Sequence, residues 1–179
     1  MPKAPDSHYK FYIITKKENL NMKKYLSLTF AAIMLVLSLT ACGGSSSKEV
    51  TASASDLAKQ LSETVSDGTL SSEPVIADIL ASTYFVDMEQ VEDSSAYLST
   101  GATACEVAVV KCKDSSYTSE VADLFKSRVT SQSELFASYA PKEVEKLDSA
   151  IIKTSGNYVV LCVTDDASKA ESVLKDAGF

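Results

Sequence analysis

A basic and then apolar stretch near the amino terminus limits how much of this chain can fold into a globular domain. Lys23 and Lys24 precede an apolar run over residues 26–39, which ends in small residues and Cys42. This order is typical of a secretory signal peptide. The run is shorter than the roughly 20 residues that a membrane-spanning helix needs, which disfavours the alternative of a transmembrane anchor. We therefore assign residues 22–41 to a signal peptide and exclude them from the fold.

The end of this stretch, Leu39-Thr40-Ala41-Cys42, resembles the lipobox of bacterial lipoproteins. The resemblance implies that diacylglycerol is transferred to the Cys42 thiol and that a signal peptidase cleaves between Ala41 and Cys42. Two or more acyl chains hold a protein stably at a bilayer, whereas one binds only marginally. We expect a lipid-anchored protein on the extracytoplasmic side of the cell membrane. The alternative is that Cys42 is only a small residue at the end of a signal peptide.

The remaining residues divide into three parts. Residues 1–21 precede a signal peptide that would be complete if translation began at Met22, so they are either a start-codon artefact or an extended basic region of the signal. Residues 42–55 comprise Cys42 and a tether rich in glycine and serine, a composition typical of flexible linkers. Residues 56–179 are long enough for one domain with its own core.

Charge and composition exclude several classes of protein. Six of the 17 basic and two of the 24 acidic residues precede Cys42, which leaves 11 basic residues, 22 acidic residues and a net charge of −11. Such a chain is repelled by nucleic acid. The only histidine, His8, lies ahead of the signal peptide, which excludes His-dependent triads, dyads and zinc sites from the mature chain. We assign no catalytic, cofactor-binding or metal-binding residue.

Hydrophobic periodicity predicts the elements of the domain. Leu57, Leu61 and Val65 behind Ser55 predict a first helix that ends before Gly68. The other predictions are a helix from Pro74 with Ile76, Ile79 and Leu80 on one face, a short strand at 84–86, a loop at 87–95, a strand at 102–113, helices at 117–139 and 142–149, a hairpin of strands 150–153 and 158–164, and a last helix capped by Asp165 or Asp166. Both faces of the 102–113 strand are apolar, which indicates a central strand. The order favours an α+β fold, a two-layer sandwich of a small, mostly antiparallel sheet and helices.

Five segments of this domain resemble one protein family. They are Tyr97-Leu98-Ser99, Cys105 to Lys111, Arg128, Tyr139-Ala140-Pro141 and Gly156 to Leu161. Together they resemble the domain-of-unknown-function family 4358, whose members are mostly small bacterial lipoproteins, and the resemblance covers about residues 56–176. It implies a lipoprotein setting without an assigned activity, so it transfers no catalytic residue.

Two groups of side chains are candidates for a structural or chemical role. Arg128 is the only arginine of the sequence and lies beside the apolar stripe of its helix. A guanidinium there is costly without a partner, so we predict an ion pair with Glu106; the alternative is a surface arginine that covers the stripe. Cys105 and Cys112 are about 23 Å apart on one strand, too far to pair. Either could approach Cys162, and the alternative is buried free thiols.

The sequence favours a binding protein over an enzyme. An anchor, a tether and a compact domain without recognisable catalytic groups indicate a non-enzymatic lipoprotein that binds another envelope protein or a small ligand. The alternative is an envelope hydrolase or transferase that works without histidine. Such an enzyme requires a deep pocket with at least two convergent titratable side chains.

Overall fold

The computed structural model describes residues 49–179. Residues 1–48, which contain the predicted signal peptide, Cys42 and the first part of the predicted tether, lie outside the described residues. Among the helices of residues 49–179, none combines the length and the apolar character that crossing a bilayer requires.

A four-stranded antiparallel sheet forms the centre of the domain. Its strands are β1 (Val91–Leu98), β2 (Glu106–Cys112), β3 (Ile151–Ser155) and β4 (Tyr158–Val163), in the order β1-β2-β4-β3. Every residue of β4 and all but one of β2 are buried. The predicted central position of β2 is therefore confirmed.

Helices cover both faces of this sheet. They are α1 (Ala54–Ser62), α2 (Ala77–Tyr84), α3 (Thr118–Ala137), α4 (Pro141–Asp148) and α5 (Ala167–Ala177). One core lies between the sheet and α2, α3 and α4, and a second lies between the opposite face and α1 and α5. The α+β class with an antiparallel sheet is confirmed. The layers number three and not the expected two, because β2 and β4 carry apolar side chains on both faces.

The first helix begins earlier than predicted. Its N-cap is Ser53, whose hydroxyl accepts a hydrogen bond from the amide of Asp56, and not Ser55. The helix ends at Ser62, so Val65 lies outside it. Val50 is also buried against the second core, so packing begins within the residues that we assigned to the tether.

The segment around α2 differs most from the prediction. Tyr84 ends a helix and does not start a strand. Leu80 and Tyr84 are buried, because they are four residues apart and share one face of the helix. The predicted inner face was wrong at Ile76 and Ile79, which are exposed.

The predicted loop at 87–95 is also wrong, because β1 begins at Val91 after a 3₁₀ turn. The polar residues that suggested a loop are paired: Glu92 forms a cross-strand ion pair with Lys111, and Asp93 accepts a hydrogen bond from the Ala54 amide at 2.9 Å. Residues 70–75 cover the outer side of β1 with backbone hydrogen bonds to residues 96 and 98 and a bridge to residue 99. β3 forms the opposite edge.

The carboxyl-terminal third follows the prediction closely. Gly156, with a φ of +55°, makes the tight turn between β3 and β4, as the hairpin prediction requires. Pro141 stands in the first turn of α4. Asp166 is the residue that caps α5, by accepting a hydrogen bond from the Lys169 amide at 2.9 Å.

Candidate binding cleft

The structure brings Arg128 and Glu106 together. Nη2 of Arg128 lies 3.0 Å from Oε2 of Glu106, and Nε lies 3.2–3.3 Å from the two carboxylate oxygens. Glu106 is on the central strand and its side chain is 4% exposed, whereas that of Arg128, on α3, is 25% exposed. The guanidinium therefore joins a buried carboxylate to the surface.

Tyr84, which is buried, is the third member of this cluster. Its hydroxyl donates a hydrogen bond to Oε2 of Glu106 at 3.3 Å, and its ring lies 5.9 Å from the guanidinium carbon of Arg128. Burial, together with the nearby carboxylate, raises the pKa of Tyr84 well above its usual value, so the hydroxyl keeps its proton. Burial also raises the pKa of Glu106, although the hydrogen bonds from Arg128 and Tyr84 act in the opposite direction.

Two hollows flank Arg128 on the surface. The polar hollow, of about 230 Å³, lies between α3 and the loop that joins β1 to β2; its lining includes Ser99, Thr103, Gln132 and Tyr139. The apolar hollow, of about 120 Å³, lies between α2 and α3 and is lined by Thr83, Phe85, Leu124, Ser127, Arg128 and Ser131. Arg128 lines both, so the hollows adjoin across its side chain and form one cleft.

Phe85 is the most unusual residue of this cleft. It is 80% exposed and has a φ of +59°, in the left-handed region that side chains other than glycine rarely adopt. In the described residues it is the only non-glycine with a positive φ. Residues held in such conformations cluster at functional sites. A large apolar side chain thus stands at a position where glycine would relieve strain.

The large apolar side chains that are exposed in residues 49–179 all lie on or next to α2 and α3, the two helices that border the apolar hollow. They are Ile76, Ile79, Phe85, Leu135 and Tyr139. Leu124, Arg128 and Leu135 recur at a spacing that places them on one side of α3. We call the surface formed by the exposed sides of α2 and α3, with Phe85 and Tyr139, the α2–α3 face.

A second cluster of ionisable groups lies next to the polar hollow. Nζ of Lys146 is 3.0 Å from Glu143, 3.6 Å from Asp67 and 3.7 Å from Sγ of Cys105. Glu143 also accepts a hydrogen bond from the Ala104 amide at 2.9 Å. These contacts fasten α4 and residue 67 to the start of β2.

The three cysteines of the described residues are buried free thiols. Burial raises the pKa of Cys105 and of Cys112, and it raises that of Cys162 to about 12. A thiol attacks as the thiolate, so these residues are poor nucleophiles. In the part of the chain that the structure describes, no cluster of acidic or cysteine side chains could hold a metal ion.

Fixed hydrogen-bond donors beside exposed apolar surface suit binding better than bond cleavage. The carboxylate of Glu106 is occupied by Arg128 and Tyr84, and it is buried. Nη1 of Arg128, by contrast, has no hydrogen-bond partner among residues 49–179, so one edge of the guanidinium remains free for a ligand. The cleft can therefore present one oriented donor between an apolar and a polar hollow.

Sequence reasoning missed Phe85 and Lys146. The signal for Phe85 was the spacing of Leu80 and Tyr84, which extends the helix to residue 84 and places the next residue at its end. For Lys146 the sequence indicated only the helical pair with Glu143, because its other partners Asp67 and Cys105 are distant in sequence.

Comparison with known proteins gives one match. A family model described as Domain of unknown function (DUF4358) matches residues 65–164. The match includes Phe85, Glu106 and Arg128, and it ends just after β4. No curated protein and no solved structure matches this chain.

Proposed function

This chain belongs to the DUF4358 family, and because that family has no assigned activity we propose a function from the geometry of the cleft. We propose that the protein is a lipid-anchored, non-enzymatic binding domain that recognises another envelope protein through the α2–α3 face. The observation that carries this proposal is that the large exposed apolar side chains of residues 49–179 all lie on or next to α2 and α3, with Phe85 lining the apolar hollow beside Arg128. Exposed apolar surface that is concentrated on one side of a protein is typical of protein-binding sites.

The sequence supports the proposed anchor. Leu39-Thr40-Ala41-Cys42 resembles a lipobox, and lipid on Cys42 would keep the domain at the outer side of the cell membrane. The net charge of −11 gives no attraction to an anionic bilayer surface, so membrane attachment rests on the lipid.

The alternative of a histidine-independent hydrolase or transferase has weaker support. The polar hollow does bring titratable side chains together, as that alternative requires. Glu106, however, is held by Arg128 and Tyr84, and burial raises the pKa of the Cys105 thiol. Neither is poised as a base or a nucleophile. The same hollow as a small-ligand site leaves the exposed Phe85 and Leu135 unexplained.

Site-specific photo-crosslinking in cells tests the binding face. A photoreactive residue at Leu135, which is exposed on α3 one turn after Ser131 and does not line the apolar hollow, should give one discrete protein adduct. A matched probe at Lys175, which is exposed on α5 beyond the other face of the sheet, should give none. Phe85→Ser should abolish the Leu135 adduct without loss of the folded domain. Equal adducts at both positions, or none at Leu135, would contradict the proposal.

The anchor needs a separate measurement. Mass spectrometry of the native protein should find diacylglycerol on Cys42 at a new amino terminus. Cys42→Ser should leave the signal unprocessed and the protein free of lipid. An unmodified Cys42 thiol in the native protein would overturn the anchor and leave the binding face untouched.

A further inference from the structure

We infer that the α2–α3 face recognises an apolar, non-acidic segment of the partner: an aliphatic side chain enters the apolar hollow, and the adjacent backbone carbonyl accepts a hydrogen bond from Nη1 of Arg128. This inference rests on the proposed function and specifies its partner. It follows from the size of the hollow, the neutrality of the Arg128–Glu106 pair and the charges around them.

The size and lining of the apolar hollow fit one aliphatic side chain. Its volume is about 120 Å³ and most of its lining surface is apolar, with Phe85 and Leu124 on two sides. An engineered apolar cavity of about 150 Å³ holds benzene, so this smaller hollow suits a leucine, isoleucine or methionine side chain better than an aromatic one.

The ion pair favours a carbonyl over a carboxylate as the hydrogen-bond acceptor. Arg128 already shares its charge with Glu106 through Nε and Nη2 at 3.0–3.3 Å. A second carboxylate on Nη1 would place two negative charges around one guanidinium, and like charges at such distances repel. A peptide carbonyl accepts the same hydrogen bond without that repulsion.

The charges that surround the hollow also disfavour an acidic ligand. Glu120 lies one helical turn before Leu124, and Glu134 lies three residues after Ser131, so both exposed carboxylates lie beside the hollow on the surface of α3. They disfavour an acidic segment. The net charge also disfavours a second copy of this chain as the occupant, because two strongly acidic domains repel each other.

Selection from a random peptide library tests the partner chemistry. The full chain in detergent micelles should select peptides that contain an aliphatic residue and are depleted in aspartate and glutamate. These peptides should compete with the adduct formed at Leu135. Adding a glutamate next to the aliphatic residue of a selected peptide should weaken its binding at least tenfold.

Two substitutions on α3 provide the control. Ser131→Leu fills the hollow from an exposed position and should weaken the selected peptides at least tenfold. Thr130→Leu adds the same side chain at an exposed position on another side of the helix and should leave binding unchanged. Binding that survives Ser131→Leu would overturn the inference.

The outcomes separate this inference from the proposed function. Acidic peptides that compete with the adduct at Leu135 would show that Arg128 binds a carboxylate, which overturns the inference while the binding face stands. Absence of any cellular adduct at Leu135 would overturn the proposed function itself.

Discussion

Substitution of Phe85 by glycine and by alanine separates the cost of its backbone from the value of its side chain. A left-handed conformation costs a non-glycine residue roughly 1–2 kcal/mol. Alanine retains this cost, whereas glycine removes it. Both variants lose the phenyl ring, so both should lose binding at the α2–α3 face.

The stability that is lost with the phenyl ring follows from how much of the ring is exposed. A buried phenylalanine removes about 150–250 Å² from water, and Phe85 is 80% exposed, so about 40 Å² of contact is lost in either variant. At about 25 cal/mol per Å² this is about 1 kcal/mol. Glycine also gives the unfolded chain about 0.4–1 kcal/mol more conformational entropy. Phe85→Gly should therefore be about 1 kcal/mol more stable than Phe85→Ala, and close to the wild type.

Urea denaturation followed by circular dichroism measures this difference. The two variants share every contact except the backbone preference at residue 85, so a difference in their midpoints reports that preference. Equal stability of the glycine and alanine variants would refute the reasoning, because the strain would then be no larger than the entropy that glycine adds to the unfolded chain. Retained binding in either variant would show that the ring is not part of the interface.

Three further predictions concern the buried groups. Arg128→Met should lower the free energy of unfolding by about 3 kcal/mol, because it leaves a buried carboxylate unpaired; adding Glu106→Leu should restore most of the loss, and no recovery would contradict the pairing. The pKa of Glu106 is raised in the fold, so the folded state holds this proton more tightly, and the free energy of unfolding of the wild type should fall as the pH rises from 4.5 through the raised value. Glu106→Gln should lack that fall. The same dependence of the free energy of unfolding on pH in both proteins would refute this prediction. Alkylation counted by mass spectrometry should leave Cys105, Cys112 and Cys162 unmodified in the native protein and label all three in urea, and labelling of the native protein would contradict their burial.

The sequence allowed the parts of the fold with a strong local signal to be predicted. β2 is apolar on both faces, so its central place was evident, and a hairpin follows from Gly156 between two apolar runs. Arg128 could be assigned a partner because a lone guanidinium beside an apolar stripe needs one, and the structure places Glu106 3.0 Å away.

The misassigned parts depend on distant contacts. β1 has a polar sequence, and it becomes a strand because Lys111 and Ala54 satisfy its acidic side chains. The strained backbone of Phe85 has no counterpart in composition or periodicity. The cleft as a whole could not be predicted, since its two sides come from residues about 40 positions apart along the chain.

The unequal edges of the sheet have a consequence for self-association. In residues 49–179 the end of one rim, Ala96 to Leu98 of β1, is hydrogen-bonded to residues 71 and 75, whereas β3 is bordered by a shallow depression and by the Lys153–Glu171 ion pair. Fibrillar growth through strand addition requires two bare rims, so that each newcomer offers a fresh template. Here a newcomer would find fewer unpaired backbone groups along β1 than along β3, so strand addition should be weaker at the β1 rim.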